Sequence, residues 1–130
     1  MKRLAAIAVG AGAICLAVAP SAFAASYIVT GDCGHDTQLH RIGHVFTKAG
    51  TGNVDINYTN CIGAFDNNEL RVGLVKANTS TQFTTTRVLT SCGKVYNLGT
   101  DVKNTTAFQI QYRSAVSLAW NTGWSGTVYF

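Results

Sequence analysis

The chain has 130 residues, too few to build two independent hydrophobic cores. Charged residues make up 12% of it and hydrophobic ones 47%, a composition that excludes a disordered chain. The formal net charge of +4 falls to +2 (eight Lys and Arg against six Asp and Glu) once residues 1–24 are set aside. No run of cations then remains, which argues against a nucleic-acid partner, because binding phosphates takes a cationic stripe.

Residues 1–24 read as an export signal. Met1-Lys2-Arg3 is a positive start, Leu4 to Ala19 is apolar, Pro20-Ser21 breaks the helix, and Ala22-Phe23-Ala24 supplies small residues for cleavage. The apolar run is shorter than the roughly 20 residues that span a bilayer. Ile14 before Cys15 spoils a lipoprotein signal. Cleavage after Ala24 is expected, leaving residues 25–130 as a single secreted domain.

That domain carries no proline or methionine, and Thr, Ser and Asn supply 31 of its 106 residues. β-Branched residues suit pleated strands, and Asn and Gly suit turns. Strands are predicted near 26–31, 38–47, 53–60, 69–76, 81–90, 94–98, 105–113, 115–120 and 125–130. Alternation is cleanest where Phe108, Ile110 and Tyr112 interleave with Gln109, Gln111 and Arg113. The 38–47 segment is ambiguous, since Leu39, Ile42 and Phe46 would also share a helix face. Turns are expected at 50–53, 66–68, 78–80, 99–101 and 121–123. The fold class is all-β: a small antiparallel sandwich, or a small barrel. Most strands are too short for a membrane barrel despite the terminal Phe130, so stable membrane insertion is not expected.

Three cysteines follow the leader, Cys33, Cys61 and Cys92. Export favours one disulfide among them. In a simple meander all three lie at one end of the domain, and the pairing stays open. The remaining cysteine is read as a buried thiol, with a disulfide-linked dimer as the alternative. His35, His40 and His44 cluster after Cys33. In a strand, His40 and His44 lie about 13 Å apart, too far to share a metal. Only a helix would bring that pair together, so neither metal nor cofactor is expected.

Catalytic motifs such as a nucleophile elbow, a phosphate-binding loop or a zinc-binding helix are absent from the sequence. Glu69 and Arg71 share a strand face by parity. A small hydrolase, such as a nuclease, would need one of His35, His40 or His44 beside Glu69 or Asp66. Trp120 and Trp124 flank the 121–123 turn, with Tyr129 nearby. These rings would form a sugar-stacking platform, unless they divide into a core and a rim tryptophan. The leading expectation is a secreted, non-enzymatic protein that binds an extracellular macromolecule or cell-wall polymer. A secreted hydrolase is the rival reading, and a toxin or enzyme inhibitor the third.

Overall fold

A computed structural model describes residues 25–33, 37–61, 69–115, 117 and 123–130. They form two antiparallel sheets and, among these residues, no helix. In chain order the strands are β1 (Ser26–Asp32), β2 (His40–Arg41), β3 (Phe46–Thr47), β4 (Gly52–Asn60), β5 (Leu70–Lys76), β6 (Arg87–Leu89), β7 (Lys94–Val102), β8 (Ala107–Ser114) and β9 (Gly123–Tyr129). Sheet A has the order β1-β9-β4-β7. Sheet B has the order β2-β8-β5-β6, with β3 also on β8. Counting β2 and β3 as halves of one strand, β1 pairs with β9, β2/β3 with β8, β4 with β7 and β5 with β6. The chain is therefore one long hairpin, tipped at β5–β6, folded over into two layers: the connectivity of a jelly roll.

Period-two alternation explains which side chains meet between the layers. Val54, Ile56 and Tyr58 of β4 and Trp124 and Val128 of β9 face Leu70, Val72 and Leu74 of β5 and Phe108, Ile110 and Tyr112 of β8. The rings interlock edge to face, Trp124 at 5.0 Å from Tyr112 and 6.3 Å from Tyr58. Gly31 is the residue that admits this packing. A Cβ there would stand 2.5 Å from Trp124 Nε1 and 2.6 Å from the Tyr112 ring.

Three predicted elements are realised differently, by one device. The expected 38–47 strand is broken: Arg41 lies opposite Gln111 and Phe46 opposite Phe108, so the edge advances five residues while β8 advances three. The expected 81–90 strand is broken likewise, with Gln82 opposite Val75 and Arg87 opposite Val72. The 99–101 turn is instead part of β7, where Asn97 lies opposite Asp55 and Val102 opposite Gly52. Each is a two-residue insertion in an edge strand, which kinks the edge and spoils it as a template for a second chain.

At each insertion a side-chain amide replaces the missing ladder bonds. Gln109 Nε2 donates to the carbonyls of Ile42 (3.3 Å) and Gly43 (3.2 Å), and its Oε1 accepts from Asn78 N (2.9 Å). Gln82 Nε2 donates to Thr84 O (2.6 Å) and Thr86 Oγ1 (2.9 Å). Asn97 Nδ2 donates to Asp55 Oδ1 (2.8 Å) and Gly99 O (3.3 Å). The predicted 115–120 strand and the 66–68 turn fall largely or wholly outside the described residues.

Cys61 and Cys92 form the disulfide, their Cα atoms 5.6 Å apart across 31 residues of chain. The bond closes the end of the β4–β7 pair, just beyond Tyr58 and Lys94. Cys33 keeps its thiol and is buried in the core. β1 and β4 both run antiparallel to β9, so Cys33 and Cys61 do share a pole, although the topology is not a meander. With Cys33 enclosed, a bridge from it to a second chain would require the sandwich to open.

Candidate functional site

The outward-facing residues of β5 and β8 build a concavity on the face of sheet B. With Val72 and Tyr112 turned into the core, Arg71, Gly73 and Val75 of β5 face outward, as do Gln109, Gln111 and Arg113 of β8. The register sets Arg71 directly opposite Arg113, and Gly73 opposite Gln111. Gly73 contributes no side chain, and the Gln82 amide takes up that space at the foot of a depression. It measures about 250 Å³ and is lined by Leu39, Arg71, Gly73, Gln82, Thr86, Gln111 and Arg113.

Its floor is fixed by hydrogen bonds. Gln111, nearly buried, donates from Nε2 to Gln82 Oε1 at 2.7 Å. Gln82 is in turn tied to Thr84 and Thr86, and its amide lies over Gly73, where a Cβ would approach it to 3.1 Å. The rim is mixed, with exposed Leu39 and the two arginines among its residues. Arg41 of β2 lies opposite Gln111, which adds a third cation to the same face.

The sequence-predicted site residues are dispersed by comparison. In β9, Trp124 points inward and is 2% exposed, while Tyr129, five residues on, faces out from sheet A beside Ser26 and Asp55. An odd spacing in a strand puts two residues on opposite faces, so these rings cannot form one platform. Trp124 is the core tryptophan of the two readings and offers no face to a sugar. Trp120 lies outside the described residues.

The histidines also separate. His40 pairs with Tyr112 and stacks on its ring at 5.5 Å, on the inner side of sheet B. His44 stacks on Tyr27 at 4.3 Å and meets Phe46 edge-on at 4.6 Å. Among the described residues no three His, Cys, Asp or Glu gather to hold a metal. Glu69 precedes β5, and its carbonyl accepts from Ala115 N at the far end of β8. Parity puts the Glu69 side chain on the outer face, away from His40. His44 sits toward the Phe108 end of β8, on the order of 20 Å from Glu69. Of the hydrolase candidates, His35 and Asp66 lie outside the described residues.

Arg71, Arg113 and the two glutamines were not singled out together in the sequence. Alternation alone assigns Arg71 and Arg113 to outward positions, but only the β5–β8 pairing makes them neighbours. Compared with known proteins, the chain matches no family model, no curated protein and no solved structure.

Proposed function

We propose that residues 25–130 form an exported, non-catalytic binding domain that holds a cell-surface glycan polymer against the outer face of sheet B. The observation that carries this reading is the depression over Gly73: a concave, polar surface on a sheet face, with its amides locked before any ligand arrives. Preorganisation of this kind lowers the ordering cost of binding. At about 250 Å³ it falls below the range of drug-sized ligand pockets, and it suits one repeating unit of a longer chain. The leader-like residues 1–24 supply the route to such a polymer. Jelly rolls include lectin domains, but a shared fold does not decide function, so the weight rests on the site.

The test is sedimentation of the purified protein with insoluble cell-wall material, followed by amide chemical-shift mapping with a soluble wall fragment. Depletion from the supernatant, with shifts centred on β5, β8 and Gln82, is expected. Absence of depletion, or shifts confined to β4 and β9, would overturn the proposal.

A further inference from the structure

Resting on that reading, we infer that Arg71 and Arg113 form an oxyanion clamp, and that the polymer bound there carries phosphate or carboxylate groups. Like charges placed directly opposite on paired strands repel each other, and here the register places two arginines so. Neither side chain makes an ion pair or hydrogen bond with another described residue, and Arg71 Nε is buried with no acceptor. The nearest carboxylate on the face by alternation is Glu69, one position beyond Arg71 along the same side of the strand, and it bonds neither guanidinium. Asp55, by contrast, is on sheet A and is answered by Asn97.

The Arg71 guanidinium, whose Nε has lost its water and received no protein acceptor, is poised for an external anion, because part of its desolvation is already done; Arg113 is exposed. The planar fork of donors on each matches a carboxylate or phosphate in two-point contact, which an ammonium cannot do. Two forks across one strand pair, with Arg41 beside Gln111, can take successive negative groups along a chain. Leu39, 58% exposed at the rim, supplies an apolar contact for the carbon skeleton between them. A nucleic acid is the weaker fit. The face has three cations, without the longer cationic stripe that phosphate backbones require, and the depression holds no aromatic ring on which a base could stack.

The experiment titrates the purified, disulfide-intact protein with a glycerol-phosphate polymer, a polyuronate, a neutral glucan and a short RNA. Binding to the phosphate polymer or the polyuronate is expected, weakening as salt rises, with none to the glucan; which of the two binds tighter identifies the source of the oxyanion. R71Q and R113Q should each weaken it about tenfold or more, and R113K should not restore it. K103Q, which removes the same charge from an exposed loop elsewhere, should leave affinity unchanged. Because Arg113 is exposed, R113Q tests the clamp even where R71Q fails to fold. Equal weakening by K103Q and R113Q, equal binding of the glucan, or tighter binding of the RNA would overturn the clamp. If wall material still sediments the protein and R113Q does not alter this, the clamp fails while the binding reading stands. Failure to bind any wall material removes both.

Discussion

The two sheets of this sandwich are held together by different means. Sheet A has one broken edge, at β7, and a covalent clamp between β4 and β7. Its outer carboxylate, Asp55, is met by Asn97. Sheet B has both edges broken and no covalent link among its described residues. Its gaps are closed by Gln109 on one side and Gln82 on the other. Its outer cations are met by nothing described. The contrast concerns these outer charges alone: Asp55 on sheet A has a partner, whereas the Arg71 and Arg113 side chains on sheet B have none among the described residues.

The largest expected effect comes from cutting the clamp. Replacing Cys61 and Cys92 together by Ala opens a 31-residue loop, and the chain-entropy model puts the cost at about 4 kcal/mol. Urea unfolding would measure it. Sheet A should lose protection against amide exchange first, at the β4–β7 pair. A loss under about 1 kcal/mol would mean that the backbone ladder alone holds sheet A.

Sheet B should break at Gln109. Its amide serves three backbone groups at once, and it is only 5% exposed. Gln109→Leu keeps the approximate volume and strands those groups, at about 1–3 kcal/mol for burying unsatisfied polar atoms. Exchange protection at Ile42 and Asn78 should fall, with the β4–β7 pair untouched. Uniform loss across both sheets would show that the amide does not act locally.

Tyr112 ties the sheets to each other. From β8 its hydroxyl donates to Asp32 O (3.2 Å) and accepts from Asp32 N (3.1 Å) at the end of β1. Burial raises its pKa, and the nearby Cys33 and Asp32 charges add to this, against a smaller opposing effect of the Asp32 backbone bond. A raised tyrosine pKa favours the neutral folded form. Its contribution is complete below the ordinary value near 10 and is lost as pH rises through that value to the folded one. Tyr96 acts in the opposite sense: burial raises its pKa, but hydrogen bonds with Thr90 and Ser91 outweigh this and lower it. Tyr112→Phe should therefore cost about 1 kcal/mol at neutral pH and show a shallower alkaline decline than the parent. Parallel declines above pH 10 would remove Tyr112 as the cause.

How much of this was legible in the sequence depends on the reach of each signal. The alternation at 107–114 is local, and it identifies both the strand and its buried face. The edge insertions were not legible, because Gly99-Thr100-Asp101 has the same composition in a bulge as in a turn. Gly43 and Thr84–Thr86 likewise read as continuations of strands. Trp124 fell on the inner face through the phase of β9, which the glycines at 123 and 126 left undefined. The arginine pair was the least visible feature. Arg71 and Arg113 are 42 positions apart, and their adjacency follows from a jelly-roll pairing that no local period encodes.

The smallest stability effect separates a functional arginine from a structural one. If Arg71 faces Arg113 because the fold needs it there, Arg71→Gln should destabilise sheet B. If the pair is kept for a ligand, relieving the repulsion should instead raise stability by a few tenths of a kcal/mol, more at low salt than at high, since salt screens exposed charges. Thermal unfolding at two ionic strengths reads this difference directly. A stabilised variant that no longer binds would fit the trade between stability and function expected at binding sites. Destabilisation by more than about 1 kcal/mol would make Arg71 part of the scaffold, leaving the exposed Arg113 as the cation without a counterpart among the described residues.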